Sequence, residues 1–289
     1  MKTIAIMNIK GGVGKTTSVT TIGHILAKEF KKKVLLVDLD AQANTTALFS
    51  EVDYYERLAN KFSGEIMELD KSISTLFLDK DVDVHECIRN TGYENLDIIE
   101  SDLRLTEIEN LLKADVTSPQ QFKLKRHLEK VDAEYDYCIM DCSPSVGIIN
   151  INGLAMADEV YIPTRSDGYS LEGVAYAKSL IGTVADYNSK LSIGGVFFTA
   201  WEPYNCPKGA YKILETLVGD KLLPFNINKS VKLTENTMMQ MPLLAADDGK
   251  NKSKATLAYI DLAGYIDAED REKYLNDYKE RKLKNGEEI

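Results

Sequence analysis

The chain is poor in the residues that carry redox, metal or membrane chemistry. It has four cysteines (Cys87, Cys138, Cys142 and Cys206), no CxxC pair, and only three histidines. That spacing suits neither a zinc site nor a bridging iron–sulfur cluster. Cys138 and Cys142 fall in or beside an apolar, strand-like run, where a buried thiol acts as a small hydrophobe. No apolar run approaches the ~20 residues needed to span a bilayer. Met1 leads straight into an apolar stretch with no basic n-region or small-residue cleavage site, so a secretory signal is not expected and a cytoplasmic location is. Basic charge is also short. A net charge of −10 argues against a globally basic nucleic-acid binder, though not against a local patch. Within residues 205–254 eight lysines face five acids, a local excess of +3 that leaves −13 for the remainder.

What is present is regular. With 44% apolar residues, a chain of this length can bury the core of one large domain. Short apolar runs predict strands at Thr3–Asn8, Lys33–Asp38, Leu96–Glu100, Asp136–Asp141, Glu159–Pro163, Ile193–Thr199 and Leu222–Phe225. Continuous runs such as Val34-Leu35-Leu36-Val37 are what a strand covered on both faces requires. Helical patterns lie between them, at Lys15–Phe30, Leu103–Lys113, Gln120–Val131, Leu171–Tyr187, Lys208–Val218 and Thr256–Ile266. The expected fold class is α/β, a mostly parallel twisted sheet flanked by helices on both faces, with ligands beyond the carboxyl ends of the strands. A single domain is expected over residues 1–266. Residues 51–72 read as a helical excursion at the surface. Residues 267–289, with 14 charged residues of 23, read as a charged C-terminal helical tail docked on the domain.

Chemistry concentrates in Lys10-Gly11-Gly12-Val13-Gly14-Lys15-Thr16-Thr17, which follows the first strand and opens the first helix. In that setting glycines let backbone N–H groups converge on phosphate oxygens at a helix N-terminus. Lys15 is expected to bridge the β- and γ-phosphates, Thr16 to ligate Mg2+, and Thr17 to contact the α-phosphate of ATP. The standard motif wants glycine five residues before Gly14, where Ile9 stands, and Lys10 adds a second lysine. One set of phosphates does not need that extra cation. It makes sense if Lys10 reaches a second nucleotide across a dimer interface; a solvated surface lysine is the plainer alternative.

The residues KGGVGKTT at 10–17 are the signature of the ParA/MinD family of deviant Walker ATPases. VLLVDLDAQANTT at 34–46 resembles that family's second motif, and YDYCIMDCSPSVG at 135–147 its Walker B segment. IPTRSDGYSLEGV at 162–174 is similar to a strand-then-helix element, and NKSVKLTEN at 228–236 is a weaker echo of another. By resemblance Asp40 orients the attacking water, Asp38 supports the Mg2+ shell, and Asp141 holds Mg2+ through water. The plainer role for each aspartate is a helix N-cap after a strand. Departures from the family pattern are Ala41 and Ala43 in place of proline and glycine, Ser143 in place of proline, Asn228 where a proline usually lines the adenine, and Lys229 and Lys232 in place of arginines.

The resemblance implies an Mg2+-dependent ATPase that forms an ATP-dependent homodimer, binds a surface, and is released when a partner stimulates hydrolysis. For a DNA segregation (partition) ATPase the surface is nonspecific DNA and the partner a ParB-like centromere-binding protein, with nucleoid association. Lys208, Lys212, Lys229, Lys232, Lys252 and Lys254 are the candidate DNA contacts, since lysine neutralises phosphate as a point charge with little base readout. Lys229 and Lys232 lead because they match basic positions of the family element. The C-terminal segment, with Tyr274, Leu275, Tyr278 and Leu283 amid mixed charge, lacks the broad apolar face of a MinD-like membrane anchor. Other readings remain open: a family ATPase that positions another cargo, such as a protein array or microcompartment, a MinD-like regulator, or a bacterial tyrosine kinase domain.

Overall fold

A computed structural model describes residues 1–52, 54–63, 69–115, 117–202, 208–247, 249 and 251–286. Seven strands form one sheet: β1 (Lys2–Ile6), β2 (Val34–Leu39), β3 (Ile88–Asn90), β4 (Leu96–Ile99), β5 (Tyr137–Cys142), β6 (Glu159–Thr164) and β7 (Ser192–Phe198). Their order is β3-β4-β2-β5-β1-β6-β7, and every pairing is parallel except β3 with β4. The helices begin with α1 (Lys15–Lys28), α2 (Asn44–Leu48), α3 (Tyr54–Ser63), α4 (Ile73–Leu78), α5 (Arg104–Ala114), α6 (Lys123–Leu128) and α7 (Ile148–Met156). They continue with α8 (Gly168–Ala185), α9 (Lys208–Val218), α10 (Lys232–Met238), α11 (Leu243–Ala246), α12 (Lys254–Asp267) and α13 (Arg271–Lys284).

Strand alternation sorts the core into two layers. Leu35, Val37, Cys138, Met140 and Ile162 face one side, under α4 to α8. Val34, Leu36, Ile139 and Tyr161 face the other, under α1 and α12. Cys138 sits fully buried in the first layer, and burial pushes its thiol up to about 12, so it is an inert hydrophobe. The expected α/β class is the one observed.

Two expectations need correction, and one strand was not expected. Leu222–Phe225 is not a strand: it makes a single bridge, Val196 to Leu222, with Leu223 N–H donating to the Val196 carbonyl at 2.8 Å. Pro224 has no N–H with which to continue a ladder. The helix expected over Gln120–Val131 is only α6, flanked by 3-10 turns. The buried Asn152 side chain accepts from Leu124 N–H and donates to the Gln120 carbonyl, taking backbone groups an intact helix would use. The edge strand β3 carries no period-2 apolar signal, since it reads Ile-Arg-Asn and is mostly exposed.

Part of the 51–72 excursion is helical, as α3; residues 64–68 lie outside the described residues. The C-terminal helix α13 is capped by Asp270 and lies against the core. Its Tyr278 is buried edge-on to Phe225, and Arg271 forks onto Glu159 at 2.6 and 2.8 Å.

Candidate functional site

The loop from Met7 to Gly14 leaves the carboxyl end of β1, between β5 and β6 in the sheet. Gly12 (φ +74°) and Gly14 (φ +83°) both take the left-handed conformation that side chains disfavour, and Gly14 stands at the N-cap of α1. Two buried side chains hold the loop. Asn8 donates to the Pro163 carbonyl at 2.9 Å and accepts from Lys10 N–H at 2.9 Å; Thr199 donates to the Val13 carbonyl at 2.9 Å. Lys15 is buried, with its ammonium 3.2 Å from the Lys10 carbonyl. Burial lowers its pKa against the pull of Asp141, Cys142 and Asp40.

Carboxylates converge from the neighbouring strands. Asp38 and Asp141 are register partners at the ends of β2 and β5. Asp141 accepts from Thr16 Oγ1 at 2.8 Å and Thr45 Oγ1 at 2.7 Å. Asp38 accepts from Thr46 N–H and Oγ1, both at 2.9 Å, and from Asp40 N–H at 3.1 Å. Both carboxyls are raised, Asp38 by burial and then by the charge of Asp141, and Asp141 by burial that outweighs its bonds from Thr45 and Thr16. Asp40 is half-buried one residue past β2 and accepts from Gln42 N–H at 2.9 Å. Phosphate loop, Thr16, Asp38, Asp40 and Asp141 therefore share one end of the sheet.

Mg2+ fits this donor set. Among the described residues no cluster of three or more His, Cys, Asp or Glu forms an all-protein cage. Mg2+ is ordinarily held by one or two side chains together with water and phosphate oxygens. A dication beside Thr16 would favour the charged form of these two buried carboxyls.

Next to the loop lies a cavity of about 160 Å3, lined by Gly12, Gly14, Thr17, Lys229, Leu233 and Tyr259 among others. Tyr259 joins α12 to α1 through a 3.0 Å hydrogen bond with Ser18. Asn228, at the expected proline position, pairs with Trp201 in an isolated parallel bridge beside this cavity.

Several partners escaped sequence reasoning. Thr45 and Thr46 lie inside the second motif, but nothing local says that they face Asp141 and Asp38. Asn8, Thr199 and Tyr259 carry no motif signal. Ala43, at the usual glycine position, still adopts the left-handed conformation (φ +53°) at the N-cap of α2. Ser143, at a usual proline position, uses its N–H to donate to Asn150 at 3.1 Å.

The candidate DNA lysines divide by environment. Lys232 is bound by its ammonium to the fully buried carboxylate of Asp247. Lys229 is exposed and 3.3 Å from Glu202. Lys212 and Lys254 are exposed and Lys252 half-buried. The side chain of Lys208 lies outside the described residues, as does Lys250. No helix among the described residues is long and apolar enough to cross a membrane.

A family described as an AAA domain matches residues 1–193. The sporulation initiation inhibitor protein Soj of Bacillus subtilis is 33% identical, over 92% of this chain and 98% of Soj. The chromosome-partitioning ATPase Soj of Treponema pallidum is 33% identical, over 85% of this chain and 90% of its own. Among solved structures, cobyrinic acid a,c-diamide synthase from Mycobacterium smegmatis, with bound ATP analog and magnesium, aligns with TM-score 0.70 at 26% identity, covering 92% of this chain and 94% of that one. With a lysine at each end of a glycine loop and aspartates at the ends of β2 and β5, the chain belongs to the ParA/MinD family of deviant Walker A ATPases, ATP-dependent positioning proteins.

Proposed function

We propose that this protein is a DNA segregation ATPase. ATP binding drives a two-nucleotide homodimer that holds nonspecific DNA, and hydrolysis stimulated by a centromere-binding partner protein releases it. Lys15 and the N–H groups around Gly12 and Gly14 grip the phosphates of ATP. Thr16, with Asp38 and Asp141 through water, holds Mg2+, which when bound neutralises charge on the transferred phosphoryl group. Asp40, anchored by Gln42 N–H, orients the attacking water.

Lys10 serves the second nucleotide. It is exposed, and its carbonyl rather than its ammonium meets Lys15. A lysine turned outward from its own loop can reach another protomer's phosphates, as an arginine finger does in trans.

The observation that carries the DNA reading is the tie between the basic segment and the phosphate-loop helix. Lys229 and Tyr259 line the same cavity as Gly12 and Thr17, and Tyr259 is bonded to Ser18 of α1. Adenine or ribose held in that cavity would sit beside Lys229. Lys229, Lys252, Lys254 and Lys212 are the DNA contacts of this proposal, while the charge of Lys232 is committed to Asp247.

The test is DNA binding by an arbitrary duplex with ATP, with ADP and without nucleotide. Asp40→Ala is expected to bind DNA with ATP but not turn ATP over, and Lys15→Ala to do neither. Binding should weaken steeply as salt rises, because phosphate contacts release counterions. DNA binding that is absent, or indifferent to both ATP and salt, would sink the DNA reading and point to another cargo.

A further inference from the structure

Lys10 is held at its root by Asn8 and meets one helix, α8, at both root and tip. Its N–H donates to Asn8 Oδ1 at 2.9 Å, and Asn8 is itself fully buried and fixed to the Pro163 carbonyl. The backbone of α8 packs on this corner at Gly173, where an added Cβ would stand 3.2 Å from Lys10 Cβ and collide with Asn8 Oδ1. One turn earlier on the same face of α8 is Tyr169, whose ring centroid lies 5.5 Å from Lys10 Nζ. Asp167 fixes that first turn, accepting from Ser170 N–H at 3.0 Å and Ser170 Oγ at 2.8 Å.

Packing does not account for this tyrosine, because it is 73% exposed. A lysine at a loop rim spreads over many rotamers, whereas an aromatic face selects those that place the ammonium above it. We propose that Tyr169 is a positioning residue: it holds the Lys10 ammonium over its ring, outward from its own phosphate loop, so that the cation is already ordered when a second protomer brings its nucleotide. Pre-ordering matters because a side chain immobilised on binding weakens association by the freedom it loses. The inference rests on Lys10 serving the second nucleotide site.

The experiment compares Tyr169→Ala, Tyr169→Phe and Lys10→Ala in the full chain. ATP affinity is measured at low protein concentration, and ATP-dependent dimerisation and turnover at saturating ATP. Tyr169→Ala should weaken dimerisation about two- to fivefold, the range of an exposed cation–π contact, and leave the ATP affinity of the monomer unchanged. Tyr169→Phe keeps the ring face and should restore wild-type behaviour. Lys10→Ala should lose the ATP-dependent dimer while still binding ATP. If Lys10→Ala behaves so but Tyr169→Ala matches wild type, the inference about Tyr169 falls and the reading of Lys10 stands. Equal losses in Tyr169→Ala and Tyr169→Phe also overturn it, since the hydroxyl would then be at work. An intact dimer in Lys10→Ala overturns both.

Discussion

Replacing Lys232 with alanine separates an internal lysine from a DNA-facing one. Asp247 has 0% side-chain exposure, and Lys232 is 45% exposed. The carboxylate takes the lysine on Oδ1, and Ser253 N–H at 2.6 Å and Thr256 Oγ1 at 2.7 Å on Oδ2. Burial would raise this carboxyl, but the bonds from Lys232, Thr256 and Ser253 outweigh it and hold it well below the usual range. Breaking a fully buried pair costs about 3–5 kcal/mol. Here nearly half the lysine is in water and Oδ2 keeps its donors, so Lys232→Ala should cost about 1–3 kcal/mol. A depressed carboxyl stabilises the fold above its unfolded pKa of 3.8, and that contribution is lost as pH falls through the folded value. The gap between wild type and Lys232→Ala should therefore narrow in acid. Urea unfolding at neutral and acid pH reads this directly. Lys229→Ala is the comparison: its pair with Glu202 is exposed on both sides, so its cost should stay below about 0.5 kcal/mol while DNA binding falls. Neutral-pH stability of Lys232→Ala equal to wild type would refute the assignment of Lys232 to Asp247.

Two other perturbations test features away from that pair. Ala43 is left-handed without being glycine, a conformation that costs roughly 1–2 kcal/mol for a residue with a Cβ. Ala43→Gly should raise the unfolding free energy measured in urea by about 0.5–1 kcal/mol after glycine's own entropy, and a destabilised variant would show that φ +53° is not strained there. His24 is buried in α1 with its ring 4.6 Å from that of Tyr93, and burial followed by the charge of Lys28 lowers its pKa to about 4. The unfolded chain therefore takes up a proton below pH 6.5 that the folded one refuses until about pH 4, and stability drains away as pH falls through that window. The loss is at most about 3 kcal/mol, and His24→Phe should flatten the stability profile between those limits relative to wild type. An unchanged slope would mean that His24 protonates without unfolding.

The sheet was legible because its strands are continuous apolar runs, and burial on both faces leaves such runs little alternative. What failed in the fold failed once for a local reason and twice for non-local ones. Pro224 removed a donor from the last expected strand, Asn152 from a distant helix broke up the segment at 120–131, and the strand at 88–90 exists only because β4 offers it an edge. The site divides along the same line. Lys15, Thr16 and the loop glycines announce themselves because a phosphate imposes residue types at fixed spacing on one short segment. Asp38 and Asp141 are 103 positions apart, and parallel register brings them together as neighbours on adjacent strands. A lysine's partner is the least local fact of all. Lys229 and Lys232 look equivalent in sequence, three residues apart on one basic element, yet one lines the cavity beside the glycine loop with its ammonium at the exposed Glu202, and the other is spent on a buried aspartate fifteen residues on. A count of the lysines in the 205–254 window treats both alike, so it overstates the cationic surface available to a polyanion. The fields that would steer DNA arise from the lysines whose charge is not already met by a buried carboxylate, and only tertiary structure distinguishes them.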